Sequence, residues 1–104
     1  MTETLPAGVE RAVRGFCEDY DRRAREISKG TAPAELIGYY MVLNAKIDRA
    51  IASCCEEPFC AAMRADIGNC TGHRTSQMIY LSAGTYKDRK RKTKLAIAKA
   101  FHLI

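Results

Sequence analysis

Residues 82–104, with the sequence SAGTYKDRKRKTKLAIAKAFHLI, are the segment from which the fold and the function are most readily argued. The segment contains seven lysines and arginines against one acid, a formal charge of +6. The whole chain of 104 residues carries +5, so residues 1–81, with 10 basic and 11 acidic residues, sum to −1. A basic face concentrated on one element attracts a polyanion, most often a nucleic-acid backbone.

The same segment has the pattern of an amphipathic helix over 82–102. Ser82 is a favourable N-cap, because its hydroxyl can accept a hydrogen bond from an amide of the first turn. Steps of three and four place one set of side chains on the inner face of the helix: Tyr86, Thr93, Ala96, Ile97, Ala100 and Phe101. Basic side chains at the same spacing share an outward stripe, formed by Lys87, Lys90, Arg91 and Lys94.

Three further segments have helical periodicity, and they predict helices over 9–28, 33–55 and 58–68. Lys29-Gly30 ends the first, in the order expected for a helix C-terminus. Alternation with a period of two never persists beyond a few residues, so no strand is predicted. We expect an all-α fold, a single domain over 1–104 made of a small bundle of four to five helices. Its C-terminal basic helix is expected to be helix-turn-helix-like.

The functional interpretation of the basic helix is recognition of duplex DNA. A recognition helix presents its N-terminal residues to base edges in the major groove, while flanking lysines hold phosphates. The side chains within reach of bases would be Thr85, Lys87, Asp88 and Arg91. A solvated, lysine-rich outer face is the competing interpretation. Tyr39 and Tyr40 are assigned to the core or to a partner surface rather than to base stacking.

The five cysteines, an odd number, do not form a simple disulfide framework. Four residues could in principle bind zinc through Cys-x4-Cys and Cys-x2-His spacings: Cys55, Cys60, Cys70 and His73. A tight site generally uses two short pairs, so buried small thiols are the favoured interpretation, and zinc binding stays open. No metal site and no cofactor is predicted.

No arrangement of nucleophile, acid and base indicates an enzyme, and no catalytic residue is predicted. The N-terminus lacks a basic region followed by an apolar one, so we expect no secretory signal. The longest nearly apolar run, 37–43, is far shorter than the roughly 20 residues of a spanning helix. We therefore expect a cytoplasmic protein without a membrane partner.

The C-terminal part of the chain resembles phage-borne transcriptional regulators of the ArpU type, which are similar to the DNA-binding region of sigma factors. The residues that carry the resemblance are Ser82, Thr85-Tyr86, Lys90 and Ile97-Ala98. The resemblance implies a phage or prophage protein that binds duplex DNA through a helix-turn-helix. It implies the same base-reading side chains, and it implies phosphate contacts from Arg74, Lys90, Lys92 and Lys94.

A second hypothesis is a mobile-element-encoded inhibitor that binds a host nucleic-acid enzyme, such as a CRISPR nuclease, or its RNA. Fold does not determine function, so an anti-CRISPR-like protein-binding module is compatible with the same elements. The basic face could make the contact with the enzyme or its RNA. Alternatively, an acidic surface from Glu18, Asp19 and Asp21 could mimic phosphate.

A homodimer is a further expectation, because regulators of this kind often bind two half-sites as dimers. The first helix could supply the partner surface, or it could complete the core, through Phe16, Tyr20 and Ile27.

Overall fold

The computed structural model describes residues 5–57, 59–70 and 81–104, and these residues form helices without any strand. The helices are α1 Ala7–Glu18, α2 Tyr20–Lys29, α3 Ala34–Ala52, α4 Cys60–Asn69 and α5 Ala83–Ala100. Only Asp19 separates α1 from α2. The all-α prediction is confirmed for the described residues. The segment between α4 and α5, where a helix-turn-helix would have its turn, lies largely outside them.

The single helix predicted over 9–28 is instead two helices that meet at Asp19. The Asp19 amide donates to the Gly15 carbonyl at 3.1 Å, and the Arg23 amide donates to the Asp19 carbonyl at 3.0 Å. The division follows from packing, because α1 lies mainly against α4 whereas α2 lies against α3. Apolar spacing of three and four continues across the junction, which is why periodicity alone predicts one helix.

The ends of the other helices follow local signals. Ser82 caps α5 as predicted, since its Oγ accepts a hydrogen bond from the Thr85 amide at 3.1 Å. Gly30 follows α2 in the left-handed conformation, with φ of 70°, where a Cβ would be unfavourable. The ranges predicted as 33–55, 58–68 and 82–102 correspond to slightly different observed ranges, Ala34–Ala52, Cys60–Asn69 and Ala83–Ala100.

Side chains from α1, α3, α4 and α5 form the core. The largest that are fully buried are Val13, Ile47, Ile51, Met63, Asp66, Thr93 and Ile97. The predicted inner face of α5 is confirmed at Tyr86, Thr93 and Ile97, which are all buried. The rings of Phe16 and Phe101 stack with centroids 4.2 Å apart. The C-terminal helix is therefore an integral part of the bundle, not an appendage.

Gly68 allows a close approach between two helices of the bundle, α1 and α4. A Cβ at this position would lie 2.9 Å from the backbone nitrogen of Glu18 and 3.0 Å from the carbonyl carbon of Cys17. Backbone atoms of a packed helix cannot rotate away as a side chain can. The contact therefore requires glycine, and it determines where α1 lies.

A buried arginine joins α2 to its neighbours. Arg23 donates from Nε to Asn44 Oδ1 at 2.8 Å and from Nη2 to the Phe16 carbonyl. Asn44 in turn donates to the Tyr20 carbonyl at 3.3 Å. Burial lowers the pKa of Arg23, because removing the guanidinium from water disfavours its charged form. These bonds satisfy polar atoms that packing has removed from solvent.

The N-terminal half of α3 extends beyond the core. The exposed fractions there are 36% for Leu36, 36% for Ile37, 57% for Tyr39, 56% for Met41 and 52% for Val42. The first buried residue of this helix is Leu43. Despite this apolar stretch, none of the helices in the described ranges combines the length and the hydrophobicity that crossing a bilayer requires.

Candidate nucleic-acid interface

Helical geometry divides the predicted site residues of α5 between two sides of the helix. Four of them line a groove of about 280 Å³ against α1 and the segment before it, namely Lys87, Lys90, Arg91 and Lys94. Three others line a second groove of about 380 Å³ at the C-terminal end of α3, namely Thr85, Asp88 and Lys92. The predicted base-reading set is therefore not gathered in one groove. Arg74 lies outside the described residues.

The first groove continues along α1, where two arginines join it. Arg11 and Arg14 line an adjoining cavity of about 260 Å³ together with Lys90 and Lys94. We use the name basic groove for the region formed by Arg11, Arg14, Lys87, Lys90, Arg91 and Lys94. Glu10 is the acidic residue that lines both of its parts. A cleft lined mainly by one sign of charge concentrates ions of the opposite sign.

Arg11 and Arg14 were not selected from the sequence. Residues 1–81 carry a net charge of −1, so their arginines have no conspicuous pattern. A faint signal exists, because a spacing of three places both guanidinium groups on one side of α1. Only the packing of α1 beside α5 shows that this side faces the lysines of α5.

Lys94 connects the two walls of the basic groove. Its Nζ lies 2.7 Å from Glu10 Oε1 on α1. The hydrogen bond from Lys94 lowers the pKa of Glu10 below its ordinary value. Lys94 is therefore partly neutralised in the free protein, and an approaching phosphate would compete with Glu10 for it.

Lys90 is paired with a buried carboxylate. Its Nζ is 3.1 Å from Oδ1 of Asp66 on α4, a residue that is fully buried. The hydroxyl of Tyr86 donates to the other oxygen, Oδ2. A buried carboxylate needs such partners to offset the loss of hydration. Lys90 therefore stabilises the contact between α4 and α5, in addition to the phosphate contact predicted for it.

On the other side of α5, Asp88 is held by two cations of its own helix. Lys92 Nζ lies 3.2 Å from Oδ2, and the Arg91 guanidinium contacts Oδ1. The hydrogen bond from Lys92 lowers the pKa of Asp88. Asp88 thus orients Arg91, which lines the basic groove, and attracts its guanidinium toward the opposite side of the helix.

Other basic side chains of this region have no such partner. Among the residues that the structure describes, neither Arg11 nor Lys87 forms an ion pair. Both are exposed. Lys92 has a side chain that is 70% exposed even with its contact to Asp88. Arg11 and Lys87 can therefore reach an anion without first giving up an ion pair within the described residues, and Lys92 is exposed enough to reach one beside Asp88.

The cysteines do not provide a metal centre in the described part of the chain. No group of three or more His, Cys, Asp or Glu side chains is placed there to hold an ion. His73 of the proposed set lies outside the described residues. Burial raises the pKa of Cys17 and of Cys60 to about 11, and it raises that of Cys55 as well. Thiols of this kind stay protonated near neutral pH and are poor ligands and nucleophiles.

Comparison with known proteins found no match to this chain. It matches no protein-family model, no curated protein and no solved structure. The resemblance of residues 82–104 to ArpU-type regulators therefore stays a prediction carried by the residues themselves. Function has to be argued from the charge and the geometry of the site.

Proposed function

We propose that this is a small phage or prophage DNA-binding protein, a transcriptional regulator that contacts duplex DNA through α5. The observation that carries the proposal is the basic groove, where cations of α1 and α5 converge. Contacts to phosphates supply most of the affinity of such proteins and hold them in register on the duplex. Enzymatic activity forms no part of the proposal.

The roles within the groove follow from which charges are available. Arg11 and Lys87 are exposed and would hold phosphates from two walls. Arg91 is oriented by Asp88, and a guanidinium held in this way suits bidentate contact with guanine. Lys92 would bind phosphate from the opposite side of α5. Lys94 would bind phosphate after its ion pair with Glu10 breaks. Lys90 would act mainly by holding α5 against α4 through its ion pair with Asp66.

The N-terminal end of α5 has room for a base pair edge. Ala83, Gly84 and Thr85 are exposed in the first turn, and a Cβ on Gly84 would meet nothing within 4 Å beyond its chain neighbours and the helix's own backbone. The capping hydroxyl of Ser82 keeps this turn helical at its exposed end. The arrangement supports entry of the first turns of α5 into a major groove. A helix-turn-helix made of α4 and α5 belongs to this proposal.

Binding to a labelled random-sequence duplex, followed by fluorescence anisotropy at several salt concentrations, tests the proposal. We expect affinity to fall steeply with salt, because each neutralised phosphate releases counterions. Lys87→Ala should make the slope shallower by about 1. Lys99→Ala is the matched control, since Lys99 is an exposed lysine of α5 outside the basic groove. Absence of binding at low salt would refute the proposal.

A protein partner is the second candidate, and the exposed apolar residues of α3 favour it. In this alternative the chain is an anti-CRISPR-like inhibitor that occupies the nucleic-acid-binding surface of a host nuclease. The exposed side chains of Tyr39, Met41 and Val42 would supply the contact area that charge alone does not. A stable complex with a purified nuclease, without affinity for free duplex, would select this function.

A further inference from the structure

The outward face of α3 changes character halfway along the helix. Between Glu35 and Lys46 the sequence contains no charged residue. Exposed side chains in this half are apolar or small, whereas those of the second half include Asp48 and Arg49. A solvated helix normally keeps polar residues on its outer face throughout. We use the name α3 patch for its exposed residues: Leu36, Ile37, Gly38, Tyr39, Met41, Val42 and Ala45.

The α3 patch extends around most of the helix, because a rotation of about 100° per residue places Ile37 and Met41 roughly 160° from Tyr39. Tyr39 and Val42 lie on the side that also carries Glu35 and Lys46, and both are more than half exposed. A second α3 helix lying along this side would cover Tyr39 and Val42. This side of the α3 patch is therefore the one that a partner helix can bury.

The charges at the ends of the α3 patch make it complementary to itself. Glu35 and Lys46 are 11 positions apart, about three turns of helix, so they lie on one side of α3. In an antiparallel pair with its two-fold axis between positions 40 and 41, Glu35 of each copy lies beside Lys46 of the other. The same operation places Tyr39 beside Val42. Such isologous contacts are the usual way in which identical chains associate.

Small residues on the same face allow two helices to approach closely. Gly38 and Ala45 are exposed, and no atom lies within 4 Å of where a Cβ on Gly38 would be. They lie one on either side of Val42, so the aromatic ring of Tyr39 from a second helix has space to pack between them. The face therefore has the large side chain of Val42 at its centre, with the small residues Gly38 and Ala45 on either side. Opposite charges, from Glu35 and Lys46, lie at its two ends.

We propose that the α3 patch binds a second copy of this chain, in an antiparallel pair of α3 helices related by a two-fold axis. Of the two uses left open for the first helix, a partner surface or completion of the core, its aromatic residues show the second. Phe16 stacks on Phe101, and the Tyr20 hydroxyl donates to Asp48 at 2.9 Å. The dimer does not depend on DNA binding, and it would join two basic grooves in one particle.

Sedimentation velocity of the full chain over a wide range of concentrations tests the dimer. We expect the parent to approach twice the 11.6 kDa of one chain as concentration rises. Val42→Lys places a charge at the centre of the α3 patch and should give a monomer at every concentration. Ala52→Lys adds the same charge to the exposed face of the same helix outside the patch and should dimerise like the parent. A parent that stays monomeric would overturn the proposal.

A charge exchange tests the antiparallel register. Glu35→Lys and Lys46→Glu each bring like charges together across the two-fold axis, so each should weaken dimerisation several-fold. The double variant restores opposite charges and should recover the parental dimer. Thermal unfolding of each variant checks that the fold survives, since Lys46 also lies over the ring of Phe101. Failure of the double variant to recover, or capture of a different protein by a chain that never self-associates, would overturn the inference.

Discussion

Lys90 of α5 lies 3.1 Å from the fully buried carboxylate of Asp66 on α4, which also accepts a hydrogen bond from Tyr86. The two charged residues are separated by 24 positions in the chain. The contact ties the basic helix to the core beside the basic groove, which Lys90 lines. A lysine predicted to bind phosphate thus has a second role, which is to neutralise a charge inside the bundle.

We expect Lys90→Ala to lower the free energy of unfolding by about 3 kcal/mol, because the change removes an ion-pair partner of the buried Asp66 carboxylate. Urea denaturation followed by circular dichroism measures the change. Lys99→Ala should stay within about 0.5 kcal/mol of the parent, as an exposed residue away from such contacts does. Equal stability of the two variants would contradict the role assigned to Lys90.

Gly68→Ala should destabilise the protein by roughly 1–3 kcal/mol, because the new methyl group would press on the backbone of α1 and force the helices apart. Gly15→Ala is the matched control within α1. No atom lies within 4 Å of a Cβ there, so alanine should stabilise by about 0.5–1 kcal/mol through its helix propensity. Chemical denaturation of both variants measures the two free energies of unfolding. If Gly15→Ala is also destabilised, the loss in Gly68→Ala cannot be attributed to the close approach of α1 and α4.

The pair formed by Lys94 and Glu10 predicts a response to acid. The pKa of Glu10 is below its ordinary 4.5 in the folded protein, so its contribution to stability is fully present above about pH 4.5. It is lost as pH falls through the lowered folded pKa, when the carboxylate is protonated. Lys94→Ala removes the cause of the shift and should make the acid loss of stability shallower.

Unfolding free energies of the parent and of Lys94→Ala, measured between neutral pH and pH 3, provide this test of Glu10. Lys99→Ala should keep the parental pH profile, since Lys99 is not a partner of Glu10. Parallel profiles for the parent and Lys94→Ala would mean that the pair contributes nothing to folding.

Arg11→Ala tests whether α1 takes part in binding nucleic acid. If the basic groove is the interface, this change should weaken duplex binding and make the salt dependence shallower by about 1, although Arg11 is distant from α5 in sequence. Arg25→Ala removes an exposed arginine of α2 outside the groove and should bind like the parent. Identical binding by Arg11→Ala and the parent would restrict the interface to α5.

Local signals in the sequence predicted most of the secondary structure. Ser82 and Gly30 act within one turn of their own positions, and the burial of Tyr86, Thr93 and Ile97 follows from the 3.6-residue period of a helix. The division of 9–28 at Asp19 did not follow from the sequence, because it depends on which helices α1 and α2 pack against. Of the predicted site, Lys87, Lys90, Arg91 and Lys94 lie in one groove, whereas Thr85, Asp88 and Lys92 lie in another.

The sequence by itself determined that the described chain is helical, that its positive charge lies on the last helix and which side of that helix faces inward, because propensity, capping and periodicity are local properties. Only the tertiary structure decided that Arg11 and Arg14 join the basic groove. It also decided that Lys90 forms an ion pair with Asp66 and that Tyr39 lies on the surface. Each of these depends on how helices distant in sequence pack together, and that packing is determined by shape and close approach at positions such as Gly68, for which periodicity carries no signal.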